Sequence, residues 1–477
     1  MTRALDRLLA APVSAGGFWG VYVYSLDRHR VLYDHNGERW FTPASNAKLF
    51  TLAAALHQLG PDFRFHTAVT STAAPDAAGV VAGDVVLAGV GDPSLNGRGY
   101  PYSVPPQPPL LPYDVWRVPR ALAQQIKSKG ITHITGAIIG DASYFAPAPY
   151  PDGWSIGDRI WDYGAPVSAL TVNDNTRFLE IAAGAEAGTP VRLRWAPEID
   201  LPAMVNTATT AAAGTGSQLR LAADPLHPGG LVLSGTLGMD SRGDLEALAV
   251  QNPAQFAAAM LRQALIEAGI AVDGDARAQL APTPTAAAAG YELGGWDSPP
   301  LAQILQATAK ESQNLEAELM LRVLGKLGGD AGVRASRGES AAGEGVVQGF
   351  LHDAGLGATD AELVDGSGLA RTDLVTPAGI ARLLEYMSRQ PEAAVWRDLL
   401  PVAASDGTLL HRFRHTPAAG VVEAKTGSLS HVNSLSGYAT TPGGEHLVFT
   451  LLSNNEALPA AAVRAQLDRL AVAIVAP

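Results

Sequence analysis

The stretch "FTPASNAKLFT", residues 41–51, places Ser45 three residues before Lys48 at the start of an apolar, alanine- and leucine-rich segment. Residues three apart lie on one face of a helix, so the two side chains are expected to meet. Apolar surroundings lower the pKa of a lysine, and a neutral amine beside a hydroxyl can act as its general base. The alternative is a helix whose first turn is capped by Ser45 and whose Lys48 reaches out to solvent.

Two later motifs favour the catalytic interpretation. The segment "ESQN", residues 311–314, contains a Ser-x-Asn motif, and "AKTGS", residues 424–428, contains Lys-Thr-Gly on an expected strand. Two of the six lysines of the chain, Lys48 and Lys425, fall within these motifs. The order Ser-x-x-Lys, Ser-x-Asn, Lys-Thr-Gly is the three-part signature of penicillin-recognising serine enzymes.

The bulk composition excludes several other classes of function. A length of 477 residues predicts two or three domains. A net charge of −12 without a basic run argues against a nucleic-acid surface, and no apolar stretch is long enough for a membrane span. The absence of cysteine excludes disulfides, thiolate metal sites and a cysteine nucleophile. The eleven histidines lack a ligand spacing such as His-Glu-x-x-His, so we predict no metal and no other cofactor.

The N-terminal segment "MTRALDRLLAAPVSAGG" is not expected to be a secretory signal. Asp6 and Arg7 interrupt it before an adequate apolar run forms. Two explanations stay open at this point: a cytosolic chain, or a chain from which an export signal was removed.

The hydrophobic pattern predicts that the two ends of the chain meet in one sheet. Residues 18–34 are expected to form a β-hairpin, and residues 420–453 are expected to form three strands, with a helix following over about 458–474. These five strands can build one antiparallel sheet, with the middle of the chain as an insertion.

For the middle of the chain, the sequence predicts strands, helices and a linker. Residues 176–245 lack helical periodicity and predict a small all-β unit, and residues 252–270 predict a helix. Residues 281–300 have the composition of a linker, and helices are expected over 301–328 and 340–355.

Longer segments carry a resemblance to a known family. The chain resembles the serine D-alanyl-D-alanine carboxypeptidases of the low-molecular-mass class C penicillin-binding proteins, peptidase family S13, nearly from end to end. Besides the nucleophile segment, the similar stretches are "GDVVLAGVGDPSL" (83–95), "GDASYF" (140–145), "YGAPVSALTVNDN" (163–175), "ESQNLEAELMLR" (311–322), "DGSGLARTDLVTP" (365–377), "LPVAASDGTLLHRF" (400–413) and "AKTGSLSHVNSLSGYA" (424–439).

The resemblance implies an α/β (α+β) fold. Its catalytic domain would be a penicillin-binding-protein or β-lactamase-like transpeptidase domain, with a five-stranded antiparallel sheet flanked by helices, and two nested domains would be inserted into it. The expected boundaries are 1–67 and 292–477 for the catalytic domain, 68–175 and 246–291 for inserted domain II, and 176–245 for a small β-rich domain III inside domain II.

The resemblance also implies catalytic roles. Ser45 would attack the carbonyl of the penultimate D-alanine, and Lys48 would take the serine proton. Ser312 and Lys425 would relay a proton to the leaving amine and help to hold the terminal carboxylate, with Lys425 remaining cationic. Asn314 would hydrogen-bond the substrate amide and the Lys48 amine.

Further residues are implied in substrate binding. Thr426 and Ser428 lie where carboxylate contacts are expected, with Gly427 between them, and the backbone N–H groups of Ser45 and Ser428 would form the oxyanion hole. Asp141 would meet the amino group of a diaminopimelate-type side chain, or it caps the end of a strand. Leu429 would pack against the methylenes of that side chain, or it belongs to the core.

The implied function is hydrolysis of the terminal D-Ala-D-Ala bond of peptidoglycan stem peptides, with D,D-endopeptidase action on cross-links. A β-lactam would acylate the same serine. The implied location is periplasmic or otherwise extracytoplasmic. The alternatives are a β-lactamase or a D-amino-acid amidase or esterase on the same scaffold, or a non-catalytic penicillin-binding sensor. Ser367, in "DGSGLA", is expected to belong to a structural turn and not to be a nucleophile.

Overall fold

The computed structural model describes residues 1–106, 111–199, 204–227, 229–281 and 290–476. The α-helices of these residues are α1 Thr2–Leu9, α2 Lys48–Leu59, α3 Arg117–Ser128, α4 Pro253–Glu267, α5 Leu301–Glu311, α6 Asn314–Gly328, α7 Ala331–Asp353, α8 Pro377–Met387, α9 Ala393–Leu399 and α10 Ala460–Val475. The strands of these residues are β1 Phe18–Ser25, β2 Arg30–His35, β3 His66–Ser71, β4 Val80–Val81, β5 Val85–Ala88, β6 His133–Ile134, β7 Ile138–Asp141, β8 Thr176–Ala182, β9 Arg192–Ala196, β10 Met204–Asn206, β11 Thr209–Ala211, β12 Arg220–Ala223, β13 Leu231–Ser234, β14 Thr236–Gly238, β15 Asp244–Ala249, β16 Ala271–Val272, β17 Ala276–Gln279, β18 Tyr291–Asp297, β19 Ala361–Glu362, β20 Leu374–Val375, β21 Val422–Leu429, β22 Val432–Thr440 and β23 His446–Asn454.

The two ends of the chain share one sheet, as the sequence predicts. Its strand order is β2-β1-β23-β22-β21, and every neighbouring pair is antiparallel. Successive side chains of a strand point to opposite faces. In β23, Phe449 therefore packs in the core with Leu467 of α10, whereas Val448 packs in the core with Leu384 of α8. The sheet is flanked by helices on both faces, and the predicted fold class is confirmed.

The sequence predicts one continuous helix over 301–328, and this prediction is wrong, because α5 ends at Glu311. Ser312 has a left-handed backbone (φ 62) and Gln313 is extended, so a new helix, α6, begins at Asn314. Ser312 is neither Gly nor Pro, so the usual breaker signals are missing. The following helix, α7, also begins earlier than predicted, at Ala331, and bends at Gly338.

A second five-stranded sheet, of order β17-β7-β5-β3-β18, lies in the middle of the chain. Its edge strand β18 pairs with β3, so the predicted linker over 281–300 is wrong for residues 291–297. Residues 282–289 of that linker lie outside the described residues. The segment 176–245 contains strands and no α-helix among its described residues, which agrees with the predicted all-β unit.

We propose the three-domain division stated from the sequence as the organisation of the chain. The β-rich segment over 176–245 supports it, because Leu179, Leu233 and Leu237 belong to a small core of their own. Strands β3 and β18 span the expected boundaries near residues 67 and 292.

A buried ion cluster connects the middle of the chain to the break between α5 and α6. Arg98 lies in the glycine-rich loop after β5, and its Nε donates to Glu311 Oε2 at 2.7 Å, while its Nη1 lies 3.2 Å from Glu316 Oε1. Nη1 also lies 2.5 Å from Asp174 Oδ2. Burial raises the pKa of Glu316 although Arg98 opposes this. One guanidinium thus holds acidic side chains on both sides of Ser312.

We expect Arg98→Met to lower the thermal midpoint of unfolding by several degrees. The change leaves buried carboxyl groups without the cation they share, and removing one partner of a buried ion pair typically costs about 3–5 kcal/mol. Arg194→Met is the control, because Arg194 pairs with Glu180 on the surface and exposed pairs contribute about 0–1 kcal/mol. Equal midpoints for the two variants in a calorimetric scan would contradict the expectation.

Candidate active site

Ser45 and Lys48 meet at the start of helix α2. Ser45 lies half-buried in a 3-10 turn, Ala44–Ala47, that runs directly into α2, whose first residue is Lys48. The Lys48 Nζ lies 3.0 Å from Ser45 Oγ, and the lysine is fully buried. The N-cap residues of the turn and of α2 are Pro43 and Ala47, so Ser45 caps neither of them. The structure therefore contradicts the alternative in which Ser45 caps the helix and Lys48 reaches out to solvent.

Two further acceptors hold the Lys48 amine. Its Nζ donates to Asn314 Oδ1 and to the Ser367 backbone oxygen, both at 2.6 Å. Burial lowers the pKa of Lys48 to about 8, although acidic side chains nearby act in the opposite direction. These side chains are Asp365, Glu318 and Asp373. A pKa near 8 allows this lysine to exchange a proton at neutral pH.

The break between α5 and α6 places the Ser-x-Asn motif beside Lys48. Ser312 Oγ accepts a hydrogen bond from Lys425 Nζ at 2.8 Å. Asn314, the first residue of α6, presents its Oδ1 to Lys48, and its Nδ2 donates to the Tyr163 backbone oxygen at 2.8 Å. The amide orientation of Asn314 is thus fixed from two sides.

Lys425 is fully buried on β21, and its Nζ also donates to the Thr426 backbone oxygen at 2.8 Å. Burial and the positive charge of Lys48 lower the pKa of Lys425 well below its usual range. The sequence predicts a cationic Lys425. That charge state stays a prediction. Among the described residues no carboxylate pairs with the Lys425 amine, whereas several lie near Lys48.

Gly427 brings β21 against the 3-10 turn that carries Ser45. A Cβ atom at this position would lie 2.8 Å from both the Ser45 backbone nitrogen and the Pro43 backbone oxygen. Such a distance is too short for any side chain, so glycine is required for this close approach. Strand β21 and the turn that carries Ser45 are thereby in direct contact.

Ser45 and Ser312 line two cavities. The larger, of about 580 Å³, is lined by Ser45, Ser155, Asp158, Tyr163, Ser312, Asn314, Gly368, Leu369, Arg371, Ser428, Leu429, Ser430 and Ala460. The smaller, of about 310 Å³, is lined by Ser45, Ser312, Thr408, Arg412, Thr426, Gly427, Ser428, Ser434 and Arg464. The hydroxyls of Thr426 and Thr408 are hydrogen-bonded at 2.8 Å.

The structure separates the two residues predicted to contact a substrate side chain. Leu429 lines the larger cavity. Asp141 ends β7 in the second sheet, where its Oδ1 accepts from the Ser143 backbone N–H at 2.8 Å, and it lines neither cavity. The carboxylate that lines the larger cavity is Asp158. Sequence reasoning missed it, since its surroundings, "SIGDRI", match no motif.

The turn at residues 365–370 supports the site from behind. The Asp365 carboxylate accepts from Ala370 N at 2.8 Å and from the indole N–H of Trp154 at 2.9 Å. Ser367 Oγ donates to the same carboxylate at 3.0 Å, and Ser367 is fully buried. Gly368 has a positive φ of 80 and packs against Ala44. A buried, engaged hydroxyl agrees with a structural role for Ser367.

The described residues offer neither a metal site nor a membrane-spanning helix. Across the described residues, no group of three or more His, Cys, Asp or Glu side chains is arranged to hold a metal ion. None of the helices within the described ranges has the length and apolarity to cross a membrane. The absence of a cofactor stays a prediction from the sequence.

Comparisons with known proteins show the family of this chain. The sequence model of the D-Ala-D-Ala carboxypeptidase 3 (S13) family matches residues 1–474. The D-alanyl-D-alanine carboxypeptidase of Actinomadura sp. (strain R39) is 33% identical over 467 residues, which cover 96% of this chain and 81% of that protein. The D-alanyl-D-alanine carboxypeptidase DacB of Haemophilus influenzae is 25% identical over 448 residues, which cover 94% of this chain and 87% of that protein.

Solved structures show the same fold. The crystal structure of penicillin-binding protein 4 from Haemophilus influenzae has a TM-score of 0.81 at 25% identity and covers 98% of each chain. The same protein in complex with a β-lactam has a TM-score of 0.75 at 24% identity. The resemblance stated from the motifs is thus confirmed over nearly the whole chain. This protein belongs to the D-Ala-D-Ala carboxypeptidase 3 (S13) family of peptidases.

Proposed function

We propose that this protein hydrolyses the terminal D-Ala-D-Ala bond of peptidoglycan stem peptides through an acyl-enzyme on Ser45. The observation that carries the proposal is the buried Lys48 amine, 3.0 Å from Ser45 Oγ. A lysine with a pKa of about 8 can be a general base at neutral pH, which an arginine cannot.

In the acylation step, Ser45 Oγ attacks the carbonyl carbon of the penultimate D-alanine, and its proton passes to neutral Lys48. The oxyanion that forms accepts hydrogen bonds from the backbone N–H groups of Ser45 and Ser428. One such donor typically supplies about 3–4 kcal/mol of transition-state stabilisation. Asn314 keeps the Lys48 amine in place and offers hydrogen bonds to the substrate amide.

Collapse of the tetrahedral intermediate needs a proton on the leaving amine. Ser312 Oγ can supply it, because Lys425 Nζ lies 2.8 Å away and can replace the proton. In the free protein, burial and the charge of Lys48 disfavour the cationic form of Lys425. The carboxylate of the substrate, bound at Thr426 and Ser428, would raise the pKa of Lys425 again. Substrate binding thus charges the proton donor.

Water completes the reaction by hydrolysing the ester on Ser45. Cleavage of a D-alanyl cross-link proceeds through the same acyl-enzyme, since the acyl group is again a D-alanine and only the leaving amine differs. A β-lactam acylates the same serine. Peptidoglycan lies outside the cytoplasmic membrane, so we propose an extracytoplasmic site of action.

The larger cavity accepts the acyl side of the substrate. We propose that Asp158, which lines it, contacts an ammonium group on the third residue of the stem peptide, with Leu429 against the methylenes of that side chain. A carboxylate facing an ammonium favours substrates with a free amino group over acylated ones.

The alternatives on this scaffold differ in the fate of the acyl-enzyme. A β-lactamase would release a penicilloyl group within seconds, whereas a carboxypeptidase of this kind holds it much longer. An amidase or esterase would leave D-Ala-D-Ala peptides intact, and a sensor would bind penicillin without releasing D-alanine. Measuring the lifetime of the penicilloyl adduct and the release of D-alanine from a pentapeptide distinguishes all of them.

Lys48→Arg keeps a positive charge but removes the proton acceptor. We expect acylation by a labelled penicillin to be at least about 100-fold slower than in the wild type, the usual contribution of a general base. Lys129→Arg, at an exposed lysine, should acylate normally. The label should map to the peptide over residues 43–50. A normal acylation rate for Lys48→Arg would show that another group takes the proton.

The acylation rate should rise with pH and level off above about 8. Only the neutral amine of Lys48 accepts a proton, and with a pKa of about 8 about one tenth of it is neutral at pH 7. Stopped-flow acylation between about pH 6 and pH 9 measures this limb. Tryptophan fluorescence at each pH checks that the fold is retained. A flat or falling profile would exclude Lys48 as the base.

Asp158→Asn and Asp141→Asn separate the two candidate contacts for the substrate ammonium. For stem peptides with a free side-chain amine, we expect Asp158→Asn to lower kcat/KM roughly two- to fivefold, the usual range for a solvent-exposed charge pair. The same peptides with an acetylated amine should show no difference. Asp141→Asn should leave kcat/KM for the free and the acetylated peptides at the wild-type level. A loss of kcat/KM for the free-amine peptides in Asp141→Asn, and none in Asp158→Asn, would restore Asp141 as the contact.

A further inference from the structure

The smaller cavity beside Ser45 has a charge opposite to that of the whole protein. Hydroxyl groups line it together with the guanidinium groups of Arg412 and Arg464. None of the described residues that line it is acidic, although the chain carries a net charge of −12. A concave site lined by cations and hydroxyls attracts anions even on an acidic protein.

The two arginines of this cavity are not equivalent. Arg412 Nε donates to Asp468 Oδ1 at 3.0 Å, so the charge of Arg412 is already balanced. Arg464 lies on α10 and is exposed, and within the described part of the chain no carboxylate pairs with it. Arg464 is therefore the cation of this cavity that is free to bind a ligand.

The size of the cavity exceeds what the simplest leaving group needs. Its volume is about 310 Å³, and pockets of about 300 Å³ and more bury ligands of drug size. D-alanine is far smaller, and its carboxylate would be held at Thr426 and Ser428. The remaining space, with Arg464 at its wall, suits a leaving group that extends beyond one alanine.

We propose that this cavity is a leaving-group subsite in which Arg464 binds a second carboxylate of an extended, acidic leaving group. The inference rests on the proposed function and names its substrate class: peptides in which the amine released from the acyl group carries a carboxylate besides the one next to that amine. A cross-linked stem peptide is of this class. The bonds made and broken are those of the acylation step already described.

The test uses two peptides that differ only in the charge of the leaving residue. One ends in D-Ala-D-Glu and the other in D-Ala-D-Gln, which have nearly the same shape. Both are mixed with the enzyme in one vessel, and the released amino acids are quantified by mass spectrometry. We expect the wild type to prefer D-glutamate roughly two- to fivefold in kcat/KM at low ionic strength, with a smaller preference in high salt.

Variants of α10 assign the preference to one residue. In Arg464→Ala the ratio should fall to about one, and in Arg464→Glu it should reverse. Arg469→Ala is the matched control, because Arg469 is also exposed on α10 and is not among the residues lining the cavity. This control should keep the wild-type ratio. The ratio is internal to each sample, so partial loss of folded protein does not change it.

Several results would overturn the subsite. Equal release of D-glutamate and D-glutamine by the wild type would do so, as would a preference that survives in Arg464→Ala. Either result leaves the proposed function standing if D-alanine is still released and Ser45 is still labelled by penicillin. A protein that is not acylated at Ser45 would overturn the proposed function and the subsite together.

Discussion

The arrangement of the whole site depends on the Nζ atom of Lys48, which is shielded from solvent and hydrogen-bonded to three acceptors. Its acceptors are Ser45 Oγ at 3.0 Å, and Asn314 Oδ1 and the Ser367 backbone oxygen at 2.6 Å each. Each comes from a different part of the chain. Because the lysine is fully buried, water cannot replace an acceptor that moves away, and a lost partner costs about 1–3 kcal/mol or more. The 3-10 turn that carries Ser45, the Ser-x-Asn motif and the turn at 365–370 are thereby held in one mutual position.

The same burial acts on both lysines of the site, yet their surroundings differ. Burial disfavours the charged form of Lys48 and of Lys425 alike. Acidic side chains near Lys48 oppose this effect and raise its pKa. The positive charge of Lys48, in contrast, lowers the pKa of Lys425 further. Among the described residues, acidic side chains thus favour the charged form of Lys48 but not that of Lys425. We propose that the carboxylate of a bound substrate raises the pKa of Lys425.

The sequence predicts the features that depend on a short spacing between residues or on the alternation of apolar and polar residues in strands. Ser45 and Lys48 are three residues apart, so a helical turn alone brings them together, and the sheet of the two chain ends follows from its strand pattern. Features that depend on distant contacts were missed. The bend at Ser312 carries no breaker residue and coincides with ion pairs from Arg98, which no local pattern reveals. The choice between Asp141 and Asp158 likewise depends on which loop reaches the cavity, and both are ordinary turn aspartates in the sequence.

The middle of the chain is part of the scaffold of the site and not merely an addition to it. Arg98 pairs with acidic residues on both sides of Ser312. The Tyr163 backbone oxygen orients the amide of Asn314, and Trp154 donates to the Asp365 carboxylate that organises the turn behind Lys48. Each of these three contacts fixes an element that carries an acceptor for a buried lysine. Because an unpaired buried amine is costly, these contacts from Arg98, Trp154 and Tyr163 help to keep the two lysines in position. The long separation of the three motifs in the sequence is then compatible with one rigid site.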